Sequence, residues 1–110
     1  MVHPVVVATL DDLLAAHLRE PFPVSVEKGR DYGDVDPVMI GADIYGWASK
    51  VARTGGLTAE DTRRLVNARD ELVRSLVVFP SDARAYFQRL LHLAEVALGS
   101  DAPPKAPNSP

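Results

Sequence analysis

Two ionisable side chains fall on helical faces that are otherwise apolar. His17 sits among Leu10, Leu13, Leu14 and Leu18. Arg69 lies between one stripe of Leu65, Ala68, Leu72 and Leu76 and a second of Val66, Val73 and Val77. An imidazole titrates near neutrality and serves as a general base where a carboxylate orients it. A guanidinium cannot shed its charge, so a buried Arg69 needs a carboxylate or carbonyl partner. The acidic supply is Asp31, Asp34, Asp36 and Asp43, and residues 19–36 carry five acidic against three basic side chains. One arrangement is therefore a small polar pocket beneath this loop, lined by His17, Tyr32, Asp43 and Arg69, that takes an anionic or hydrogen-bonding ligand. The plainer arrangement is an ion pair pinning loop to helix, with His17 a boundary residue wet on one edge.

The aromatic residues point to the same region. Phe22, Tyr32, Tyr45 and Trp47 are four of the seven aromatics in the chain. On a helical wheel Tyr45 and Trp47 fall on opposite margins of one apolar arc, so a single neighbour does not readily cover both. Either the loop folds over one, or one belongs to a subunit interface, where Tyr and Trp are enriched.

Other chemistries find little support. The run Asp31-Tyr32-Gly33-Asp34-Val35-Asp36 fails as a calcium loop, because Gly33 and Val35 take ligand positions and Ala42 stands where a bidentate glutamate belongs. His3, His17 and His92 are scattered and there is no cysteine, so zinc is not expected. Phosphate loop, dinucleotide fingerprint and serine elbow are all missing, and no cofactor is expected. A helix-turn-helix would need unbalanced positive charge on the helix with Arg63, Arg64, Arg69 and Arg74. That helix also holds Glu60, Asp61, Asp70 and Glu71, and the chain's net charge is −3. No nucleic-acid partner is expected.

Four helices have to position these groups. The first runs over about 10–20, capped by Thr9 and stopped by Pro21 and Pro23. The second starts at Asp36-Pro37 and ends before Gly55-Gly56. The third starts at Thr58, with Asp61 three residues on, and ends near Phe79-Pro80. The fourth starts after Ser81 and ends at Leu98 with Gly99 as its stop, and its unbroken apolar arc reads as plain core packing. Gly41 and Gly46 within the second helix either mark close helix approach or contact with the long loop, or are simply tolerated. Between the first two helices, residues 21–35 alternate briefly at Val24-Ser25-Val26, turn at Lys28-Gly29 and could return over Asp31–Val35. Loops of this length in a compact domain are more often functional than short connections.

The expected fold is all-α: a small four-helix bundle with one long, partly extended loop between helices 1 and 2. A single helical domain spans residues 9–99, with an extended segment at 1–8 and a loose proline-rich tail at 100–110. No apolar run reaches the roughly 18–20 residues that span a membrane, so no membrane partner is expected. Cytoplasm is the expected location, and the preference for arginine, alanine and valine suggests a GC-rich bacterial source. The favoured function is a non-catalytic interaction or regulatory module, homodimeric, using the 21–35 loop and helix 2. The alternative is a small-molecule binder or enzyme with a polar pocket under the loop. The candidate binding residues are His17, Tyr32, Asp34, Asp43, Tyr45, Trp47 and Arg69.

Overall fold

The computed structural model describes residues 9–99; the expectations for 1–8 and 100–110 lie outside them. The described residues form four α-helices and no strand: α1 (Leu10–Arg19), α2 (Pro37–Thr54), α3 (Ala59–Ser75) and α4 (Arg84–Ala97). This is a small all-α bundle.

Local chemistry sets the helix ends. Thr9 Oγ1 accepts the Asp12 N–H at 3.1 Å while the Asp12 carboxylate accepts the Thr9 N–H at 3.2 Å, a reciprocal cap that satisfies two otherwise orphan donors. Asp36 Oδ1 accepts the N–H groups of Val38 and Met39, both at 3.0 Å, and Pro37 fills the first position of α2. Gly55 closes that helix in the left-handed region at φ 89°. Thr58 caps α3 through the Asp61 N–H at 3.0 Å.

The end of α3 comes earlier than its apolar stripe implies. The helix stops at Ser75, tightens into a 3₁₀ turn (Leu76–Val78) and leaves through an extended Phe79. Pro80 disfavours helical geometry at the residue before it. The freed carbonyls find a partner in Arg84, whose guanidinium donates to Phe79 O at 3.2 Å and Val77 O at 3.1 Å. A second 3₁₀ turn (Ser81–Ala83) then leads into α4.

Helices α2 and α4 pack most extensively on each other, and each also touches α1 and α3. Their facing residues Ile44, Ala48, Phe87, Leu90 and Ala94, with Leu65 and Leu72 from α3, are fully buried. No described helix is long and apolar enough to cross a membrane.

The long loop makes turns rather than a hairpin. Val26 N–H donates to Pro23 O at 3.2 Å, Arg30 N–H to Glu27 O at 3.3 Å, and Gly29 takes φ 87° at the second of these turns. The one ladder contact is an isolated bridge in which Tyr32 and Val35 exchange hydrogen bonds at 2.8 and 3.2 Å. Core contacts outcompete strand pairing here. A lone two-stranded ribbon is marginal in water, whereas this loop buries Val26, Tyr32 and Val35 in the main core and leaves Val24 fully exposed.

Close approach does not account for the glycines of α2. A Cβ added at Gly41 or Gly46 would meet nothing within 4 Å.

Candidate functional site

The loop meets the bundle in two ways. At its C-terminal end Tyr32 is buried, its ring stacked on Phe79 at 5.0 Å and 16°. Phe79 in turn stacks on Phe87 of α4 at 3.9 Å and 12°. The Tyr32 hydroxyl accepts the Glu27 N–H at 2.8 Å, so one side chain closes its own loop and anchors it. The turn after it rests on α3. Asp34 N–H donates to the buried Ser75 Oγ at 3.0 Å, and Arg74 Nε donates to Asp34 Oδ2 at the same distance. Gly33 makes that approach possible. Its φ is +62°, and a Cβ there would lie 2.7 Å from Ser75 Oγ.

At the N-terminal end of the loop the surface stays open. A cleft of about 330 Å³ lies between α1, the loop and the first half of α2, bounded by Tyr86 of α4. That volume is at the lower end for small-molecule sites. His17, from the last turn of α1, stacks on Tyr45 at 5.8 Å and 28° and tilts against Tyr86 at 5.6 Å. Phe22 meets Tyr86 edge-on at 5.7 Å, and the Lys28 ammonium lies 5.4 Å from the Phe22 ring centroid. Leu18 and Val38 line the same cleft and are exposed, with Met39 exposed one residue on. The polar atoms here are the His17 imidazole, the Lys28 ammonium and the Tyr45 and Tyr86 hydroxyls. None of them hydrogen-bonds to another described residue, and none of the three rings leaves a polar atom buried without a partner, so water reaches them.

A smaller cavity of about 80 Å³ adjoins the cleft along the α1–α4 seam and shares His17 and Tyr86 with it. Glu20 and Arg89 pair across that cavity at 2.6 Å. Burial holds the His17 pKa below its usual 6.5; the Arg89 charge adds to this and Glu20 partly offsets it. Burial raises the Tyr86 hydroxyl above its usual value, Glu20 adds to the rise and Arg89 opposes it. Among the described residues no carboxylate hydrogen-bonds to the His17 ring to orient it as a base.

Of the residues singled out from sequence, the structure brings His17 and Tyr45 into one cleft. Tyr32 and Asp34 belong to the anchored turn. Asp43 is exposed on α2, and Trp47 is half-buried against the core. Arg69 reaches neither the loop nor Asp43. It pairs with its neighbour Asp70 at 3.1 Å, because a half-wet head finds the adjacent carboxylate first. The position beneath the loop is filled by the Tyr32–Phe79 stack, so a pocket of His17, Tyr32, Asp43 and Arg69 does not form. Asp31, Asp34 and Asp43 likewise form no metal-binding group among the described residues.

Phe22, Lys28 and Tyr86 were not candidates from sequence. Tyr86 lies within the apolar arc of α4, where periodicity reads it as core; its signal would have been a tyrosine at the arc's margin, whose hydroxyl seeks water.

No protein-family model, curated protein or solved structure matches this chain.

Proposed function

We propose that this protein is a non-catalytic interaction module that pairs with a second copy of itself across the face made by α1, the loop and the first half of α2. The observation that carries this reading is the apolar pair Leu18 and Val38, exposed on the lining of a cleft walled by aromatic rings. Contiguous exposed apolar surface of this kind marks contact sites, and aromatic anchors at its centre suit an interface core. Two-fold pairing places the same patch on both copies, so one face serves both sides. A cytoplasmic setting belongs to the same proposal.

The α2–α3 pair is poorly suited to DNA. Lys50 pairs with Asp61 at 3.3 Å, Arg64 with Glu60 at 2.6 Å, Arg69 with Asp70 and Arg74 with Asp34. Phosphate contacts would compete with carboxylates already in place.

Sedimentation velocity over a hundredfold concentration range tests the pairing. A species of twice the 11.9 kDa chain mass is expected, with Val38→Asp shifting it to the single-chain mass. A wild-type chain that sediments as a monomer throughout would refute the proposal.

A further inference from the structure

We infer that the cleft is also a ligand site, and that it takes a small flat aromatic carboxylate. Shape comes first. Its walls are rings: His17 and Tyr45 lie near parallel, Tyr86 tilts across the end, and Phe22 meets Tyr86 edge-on. A volume of about 330 Å³ accommodates one or two fused rings and a short polar group. Charge comes second. The protein is acidic overall at −3, yet among the described residues the only formally charged one lining this cleft is Lys28. Two of the acidic groups nearby are already engaged. Glu27 pairs with Arg30 at 3.4 Å, and Glu20 pairs with Arg89 on the far side of His17. Lys28 itself has no carboxylate partner among the described residues and rests over the Phe22 ring. An anion is therefore the complement, and a carboxylate on an aromatic body uses both features of the site. The Tyr45 and Tyr86 side chains line the same cleft, and each carries a hydroxyl that can donate a hydrogen bond.

The inference stands on the cleft alone: self-pairing would cover Leu18 and Val38, so a ligand and a second copy compete for this face. The test is therefore run at a chain concentration that sediments as a monomer, which keeps failure of the site distinct from failure of the pairing. The test is a titration of the ¹⁵N-labelled full chain with 1-naphthoate, followed by amide shifts, against the neutral naphthalene-1-carboxamide of the same shape. Saturable shifts confined to the surroundings of His17, Phe22, Lys28 and Tyr45 are expected, with the carboxamide binding more weakly. Lys28→Gln should weaken naphthoate by about fivefold, the upper end for an exposed ion pair, and leave carboxamide binding unchanged. Lys28 is exposed, so this variant keeps the fold, which its unliganded spectrum verifies. Equal binding of the two probes, or naphthoate binding indifferent to Lys28→Gln, would overturn the choice of an anion. Millimolar naphthoate with no shifts at the cleft would overturn the site. Either failure leaves a sedimenting dimer intact, and a monomer leaves the titration readable.

Discussion

The two ends of the loop use similar material and reach opposite results. Each lays an aromatic ring toward Phe87: Tyr32 through Phe79, and Phe22 directly at 6.3 Å. At the Tyr32 end the polar groups are matched within the chain, hydroxyl to amide, amide to hydroxyl and carboxylate to guanidinium. At the Phe22 end two tyrosine hydroxyls, an imidazole and an ammonium stay exposed to water beside uncovered Leu18 and Val38. A satisfied polar network rigidifies what it holds. Groups left open remain available to something else. The difference gives the Tyr32 end a holding role and leaves the Phe22 end as the one at which we propose binding.

Mutations at the two ends should separate accordingly. Tyr32→Ala removes a buried ring and the hydroxyl that closes the loop, and should cost about 3–5 kcal/mol in urea unfolding. Tyr45→Ala, at a half-buried position, should cost well under half of that. Equal losses would break the comparison. Gly33→Ala should cost about 1–3 kcal/mol, since the left-handed φ and the contact with Ser75 penalise any side chain. Ser75→Ala deprives the Asp34 N–H of its acceptor and should cost about 1–2 kcal/mol. In the opposite direction, Gly46→Ala fills an exposed helical position with open space around it and should stabilise by about 0.5–1 kcal/mol.

The smallest effect expected is one of pH. His17 has a lowered pKa in the folded chain, so between that value and 6.5 the unfolded chain binds more protons. Its contribution to stability is complete above pH 6.5 and is lost as pH falls toward the folded value. The groups facing it are Tyr45 from α2, Tyr86, Arg89 and His92 from α4, Glu20 at the end of α1 and Lys28 in the loop. Melting temperatures of His17→Gln should show a shallower dependence over this window than the wild type. An unchanged slope would mean that His17 is as well hydrated folded as unfolded.

Much of this fold is legible in the sequence, because its signals are local. Thr9, Asp36-Pro37, Gly55, Thr58 and Gly99 each act within one helical turn, and the helix limits follow them closely. The early end of α3 is not legible in the same way. Its apolar stripe continues through Leu76 and Phe79, and what ends the helix is Pro80 together with Arg84 reaching back to two carbonyls. The site was half visible. The aromatic cluster around the loop and α2 was plain, and His17 on its apolar stripe lines the cleft. Arg69 was not, since wheel position cannot foresee that Asp70 beside it would take the charge. Which loop aromatic closes and which stays open depends on Ser75 and Phe79, more than 40 residues away in sequence from Tyr32 and Asp34.

The most direct test of the pairing face is sedimentation equilibrium of Val38→Asp beside Val77→Asp. Val77 is 74% exposed on the 3₁₀ turn after α3 and provides an apolar position away from the cleft. Aspartate at the second position of α2 suits the helix dipole, so Val38→Asp should leave the melting temperature unchanged. Val38→Asp is expected to sediment at 11.9 kDa while Val77→Asp keeps twice that mass. The reverse pattern, with Val77→Asp dissociating the pair and Val38→Asp retaining it, would contradict the account.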